Sequence, residues 1–102
     1  MAKISVVVPC YNESESLNYL FDQLRQLPND IPDVEFEFIF VDDGSSDDTL
    51  DKLKALSMGK QNVFYIGLSR NFGKEAALLA GLKLSTGDYV AVMDADLQDP
   101  PA

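Results

Sequence analysis

Apolar residues along this chain change their spacing six times, and that change of period restricts the fold to a narrow class. Ile4 to Val8 is a short β-branched run, the pattern of a strand covered on both faces. Leu17, Leu20, Phe21, Leu24 and Leu27 then recur at helical spacing. A second strand is expected over residues 35–41, a helix striped by Leu50, Leu53 and Leu56, a third strand from Val63 to Leu68, an Ala- and Leu-rich helix from Gly73 or Lys74 to about Ser85, and a fourth strand from Tyr89 to Met93. The order β-α-β-α-β-α-β with short connections implies an α/β domain, a parallel sheet with helices on both faces. Right-handed crossovers favour the strand order 3-2-1-4, with its reversal between strands 1 and 4. Ligands of such sheets bind beyond the carboxyl ends of the strands at the reversal.

Local signals set the expected ends. Pro9 is expected to stop the first strand, and Asn12 with Glu15 three residues on resembles a capping box opening the first helix. Pro28, Asn29, Asp30 and Pro32 are expected to end that helix in a loop. Ser45 or Ser46 is expected to cap the second helix, with Asp47 and Asp48 in its first turn. The fourth strand is apolar and is expected at an open edge, where self-association is plausible on physical grounds. Residues 1–102 are read as one domain, the first half of a larger unit.

Charge narrows the function. Eight basic residues stand against 17 acidic ones, a formal net charge of −9, which argues against nucleic acid or an anionic lipid surface as a non-specific partner. With no histidine, His-based general-base catalysis and His-ligated zinc are excluded. Cys10 is the single cysteine, so an internal disulfide is excluded as well. The chain enters a strand almost at Met1, leaving no room for a signal peptide, and a cytoplasmic setting is expected.

Acidic residues nevertheless crowd the two expected strand ends: Asp42 and Asp43 after strand 2, and Asp94, Asp96 and Asp99 after strand 4. Crowded carboxylates repel, so a positive group is expected among them. In Asp94-Ala95-Asp96 alternate residues of an extended segment point the same way, and Gln98 continues that series. Oxygen ligands of this type suit Mg²⁺ or Mn²⁺ carried with substrate phosphates; the competing reading is a solvated acidic turn. Asp43 can accept from a base or ribose, or serve only its own turn. Tyr11 offers a stacking face and Glu13 a polar contact to a base, or they are a half-buried aromatic and a first-turn helix acid. Arg70 and Lys74 fall on the same edge, fitted either to phosphate or to balancing nearby carboxylates. Neither a G-x-G-x-x-G after strand 1 nor a P-loop signature occurs.

Four segments in register, Val6 to Glu13, Val41 to Asp47, Ser69 to Lys74 and Met93 to Pro101, closely resemble the N-terminal half of the family 2 glycosyltransferases, nearest to their polyprenyl-phosphate group. The resemblance implies a GT-A fold, a UDP- or GDP-sugar donor, a divalent cation, and transfer of a hexose to a polyprenyl phosphate at the cytoplasmic face of a membrane. It implies that Pro9, Tyr11, Glu13, Val41 and Asp43 line the nucleoside pocket and that Asp94, Ala95 and Asp96 hold the diphosphate and metal. Asp96 and Gln98 would be direct metal ligands, while Asp94 would contact the sugar or ribose and could join the metal shell. The family's acceptor-side half has no counterpart among these residues, and no catalytic base is assigned. The alternatives are a nucleotide-sugar-binding module without turnover, or transfer to a saccharide.

Overall fold

The computed structural model describes residues 1–95. Its elements run β1 (Ala2–Cys10), α1 (Leu17–Arg25), α2 (Leu27–Asp30), β2 (Val34–Asp42), α3 (Thr49–Ser57), β3 (Val63–Gly67), α4 (Lys74–Leu84) and β4 (Tyr89–Val92). The four strands form one parallel sheet in the order β3-β2-β1-β4, as expected.

The strand pleat sorts the core into two layers. Val6, Val8 and Cys10 of β1 and Phe36, Phe38 and Phe40 of β2 point to one face. There they meet Leu17, Leu20, Phe21 and Leu24 of α1 and Leu53 of α3. Ile39 and Val41 of β2 point the other way and pack with Ala77 of α4. Helices thus cover both faces, and β2 supplies both layers.

Several local expectations are corrected. β1 runs through Pro9 to Cys10. In a parallel ladder a residue sends both backbone groups to one neighbour, and consecutive residues alternate sides. The Val7 carbonyl accepts from Met93 N at 3.0 Å, on the β4 side, whereas the Cys10 carbonyl accepts from Asp43 N at 2.8 Å, on the β2 side. Pro9 therefore faces the β4 side, beyond the last β1–β4 pair, Val7 with Val92. No ladder bond is lost there, so proline is tolerated.

Asn12 does not open a capping box. The N-cap of α1 is Ser16, without a side-chain cap bond, and Asn12 sits at φ 52° in the turn before it. Neither Ser45 nor Ser46 caps α3, whose N-cap is Asp48. After α1, Pro28 lies inside the short helix α2 rather than in a loop, at a first-turn position where its missing N–H costs nothing.

A buried carboxylate was not foreseen. Glu37 is only 5% exposed and pairs in register with buried Ser5. It accepts from the Ser5 hydroxyl at 2.5 Å and from Thr86 N at 2.7 Å, and Lys3 Nζ lies 3.4 Å away. Burial alone raises its pKa. The hydrogen bonds from Ser5 and Thr86 and the Lys3 charge outweigh burial and hold it below the ordinary 4.5. A carboxyl depressed on folding contributes stability that is present above its unfolded pKa and lost as pH falls through the folded one. Thermal stability is therefore expected to fall on acidification below pH 4.5, and Glu37→Gln is expected to flatten that fall. Asp88, which accepts from Lys3 N, is the neighbouring acid to control for. Equal acid slopes for the two proteins would refute the assignment.

Candidate functional site

A cleft of about 250 Å³ opens beyond the carboxyl ends of β1, β2 and β4, at the reversal of strand order. Pro9, Cys10, Tyr11, Glu13, Asp43, Lys74, Asp94 and Ala95 line it. Seven of these were expected from sequence as binding residues; Cys10 was not. Tyr11 lines the cleft and is 46% exposed. Ala95, at 2% exposure, also closes the α1-side core.

Two expected residues lie elsewhere. The Val41 side chain is fully buried beneath α4 and does not reach the cleft, because its place on β2 has the parity of Ile39. Arg70 is outside the cleft lining and stacks on the Phe72 ring, 4.8 Å from its centroid. Asp96 and Gln98, the expected metal ligands, and Asp99 lie outside the described residues. Among the described residues no group of three His, Cys, Asp or Glu side chains could hold a metal.

Asp43 does more than face the cleft. Its Oδ1 accepts from Phe72 N at 2.8 Å, and its Oδ2 accepts from Asn71 Nδ2 at 3.0 Å and Gly73 N at 3.1 Å. The carboxylate thereby fixes the loop that delivers Lys74 to the first turn of α4. Three donors converging on one buried carboxylate were missed from sequence. The pairing of Asp-Gly after one strand with Arg-Asn-Phe-Gly after its neighbour is the signal that could have shown it.

Lys74 reaches across to Asp94, Nζ to Oδ1, at 2.5 Å. This is the charge-balancing contact that the sequence allowed for Lys74. Both partners are partly exposed, so the pair is worth at most about 1 kcal/mol, and its importance is positional. Cys10 is buried, and burial, then the negative charges of Glu13 and Asp42, push its thiol up to about 12. It stays protonated at neutral pH and acts as apolar lining.

The rim is cross-braced. Asn12 N donates to Ser45 Oγ at 2.8 Å, and Asn12 Oδ1 accepts from Ser46 N at 2.9 Å and Asp47 N at 3.3 Å. Glu13 N donates to Thr49 Oγ1 at 3.0 Å, and Ser14 Oγ donates to Asp48. Burial raises the Asp47 carboxyl, but the Thr49 hydroxyl and N–H and the Ser14 N–H outweigh that and hold it below its usual value. The loops after β1 and β2 are one hydrogen-bonded unit.

The family model described as Glycosyl transferase family 2 matches residues 5–102. The chain belongs to this family. Among curated relatives of this glycosyltransferase, the putative glycosyltransferase CsbB of Bacillus subtilis (strain 168) is 45% identical over 95% of this chain and 29% of its own length. The bactoprenol glucosyl transferase of Shigella phage SfX is 43% identical over 96% of this chain and 32% of its own. The undecaprenyl-phosphate 4-deoxy-4-formamido-L-arabinose transferase of Proteus mirabilis (strain HI4320) is 43% identical over 97% and 30% respectively. The chain thus spans about a third of the length of these relatives.

Two solved structures share the fold. S. aureus TarS residues 1–349 in complex with UDP-GlcNAc superposes with a TM-score of 0.75 at 32% identity, over 92% of this chain and 26% of that one. The mannosyltransferase PcManGT from Pyrobaculum calidifontis, in complex with GDP-Man and Mn²⁺, superposes with a TM-score of 0.80 at 26% identity, over 93% and 28%. The architecture is that of the GT-A glycosyltransferases.

Proposed function

We propose that this glycosyltransferase chain is the donor-binding part of an enzyme that moves a hexose from a UDP- or GDP-sugar to a polyprenyl phosphate, acting at the cytoplasmic face of a membrane. The cleft carries the reading: it joins a half-exposed tyrosine, a buried carboxylate and a Lys–Asp pair at the strand-order reversal. The names of the two polyprenyl-phosphate relatives support the acceptor, and the nucleotide sugars bound by the two structural neighbours support the donor class. Among the described residues no helix is long and apolar enough to cross a membrane.

In this reading Tyr11 stacks on the base and Glu13 meets its polar edge. Asp43 already takes three donors from its loop. A carboxylate offers about four lone-pair sites, so about one remains for a base N–H or ribose hydroxyl. Lys74 sits where its charge can turn from Asp94 toward a diphosphate. Asp94, Asp96 and Gln98 are an all-oxygen set of the kind that holds Mg²⁺ or Mn²⁺, and Asp94 already stands in the cleft wall. Bound there, the cation would neutralise charge on the leaving diphosphate.

Calorimetry with UDP- and GDP-sugars, with and without Mn²⁺, tests this. Asp96→Ala is expected to remove the metal-dependent part of donor affinity, a loss of at least about tenfold, or 1.4 kcal/mol. Equal wild-type affinity with and without Mn²⁺ would end the metal assignment. Because the chain spans about a third of its relatives, a donor-binding module without turnover is the second reading. Donor binding without measurable sugar transfer by this chain would favour it. Among the described residues β4 has one unpaired edge, a surface open to self-association.

A further inference from the structure

We propose that Glu37 is a positioning residue, which sets the register of β4 against β1 and so places Asp94 in the cleft wall. The step from Asp94 to donor binding rests on the functional reading above.

β4 is four residues long, and all four are exposed, with Tyr89 at 66% and Val92 at 51%. Within β4 itself apolar packing therefore does little to choose its register, although Met93 and Ala95, just beyond it, reach the α1-side core. In a strand a two-residue slip preserves which side chains face which way, yet shifts everything downstream by roughly 6.6 Å. Such a slip would carry Asp94 away from Lys74 while leaving the sheet intact. Contacts at the other end of the strand can add to that selection of register.

A polar clasp at the start of β4 supplies those contacts. Asp88 N donates to the Lys3 carbonyl at 2.7 Å, and Lys3 N donates back to Asp88 Oδ2 at 2.9 Å. Gly87 N donates to Ser5 Oγ at 2.8 Å. Ser5 in turn donates to Glu37 Oε2, which also takes Thr86 N. Lys3 Nζ closes the ring by donating to Thr86 Oγ1 at 2.7 Å and pairing with Glu37 Oε1. Three consecutive residues, Thr86 to Asp88, are thereby indexed against two strands.

Glu37 is the hub, because it stands on β2, in the centre of the sheet, and reaches beneath β1. In a slipped register its buried carboxylate would lose Thr86 as a partner, a penalty absent from the observed one. The fit is close as well: a Cβ on Gly87 would lie 2.7 Å from both Ser5 N and Ser5 Oγ.

Two shape-conserving variants test this. Glu37→Gln removes the charge and turns an amide N–H₂ toward the converging donors. Thr86→Val removes one hydroxyl only and serves if the first fails to fold. Backbone hydrogen exchange is read at Met93, in the β1–β4 ladder, and at Phe38, whose N–H bonds Asn62 across β2–β3. Exchange at Met93 is expected to rise at least tenfold while that at Phe38 is unchanged. Affinity of the folded variant for whichever of UDP-GlcNAc or GDP-mannose the wild type binds with Mn²⁺ is expected to fall at least tenfold. Equal acceleration at both amides, or unimpaired affinity, would reduce Glu37 to a general stabiliser and overturn the proposal. Wild type binding neither nucleotide sugar would refute the functional reading instead, and the exchange contrast would then decide the clasp by itself.

Discussion

Gly44→Ala is expected to destabilise this domain by about 3 kcal/mol or more, because left-handed strain and backbone overlap both act at one atom. In a domain of this size that lowers the melting temperature by roughly 10 °C or more. Gly44 has φ +69°, a conformation that side-chain-bearing residues adopt at a cost. A Cβ there would lie 2.1 Å from the Arg70 carbonyl carbon and 2.4 Å from Asn71 N. Both are main-chain atoms and cannot rotate aside. Moving them would pull the 71–73 loop off Asp43. Gly59 supplies the control, with φ +77° and nothing within 4 Å of its ideal Cβ. Gly59→Ala should cost only the conformational part, about 1 kcal/mol. Urea denaturation of both variants measures the difference, and equal losses would show that the approach of the two loops is unimportant.

Asp43→Asn is expected to lose about 2–4 kcal/mol of stability and at least tenfold in donor affinity. The carboxylate accepts from two backbone N–H groups and one amide, and hydrogen bonds to a charged acceptor are worth about 1.5–3 kcal/mol each. Asparagine keeps the shape but offers one acceptor oxygen, and its own N–H₂ must oppose at least one donor. Denaturation reports the stability term; calorimetry at a temperature where the variant is fully folded reports the affinity term. A variant as stable as wild type would mean that the 71–73 loop is held by its own turn. Lost stability with intact donor binding would assign Asp43 to the scaffold alone.

The sheet was legible in the sequence because it follows from periodicity. Four β-type runs separated by helical spacing admit few connections, and the order β3-β2-β1-β4 is the one the structure adopts. Tyr11, Glu13, Asp43, Lys74 and Asp94 were legible as cleft residues because each directly follows a strand end or opens the next helix. Asn12 and Glu15 had the spacing of a capping box, but Asn12 is held by three donors and acceptors of the neighbouring loop, a bond set that no local window contains. The same loop pairing takes Ser45 away from α3. Pro9 misled because a proline matters only on the side where a ladder bond is needed, and that side depends on strand register. Val41 was a site residue only through the family resemblance, and the pleat turns its side chain under α4. Glu37 had no role of its own in the strand expected over residues 35–41. Its register partner Ser5, polar in an otherwise apolar run, was the available hint.

The brace between the first two loops has a consequence for how quickly a ligand is captured. Asn12, Glu13 and Ser14 are tied to residues 45–49 before anything enters the cleft. The wall carrying Tyr11 and Glu13 need not be assembled around an arriving molecule. Association should then proceed in a single kinetic phase, with little ordering entropy to lose on that side, and differences in affinity among ligands should reside in how fast they leave.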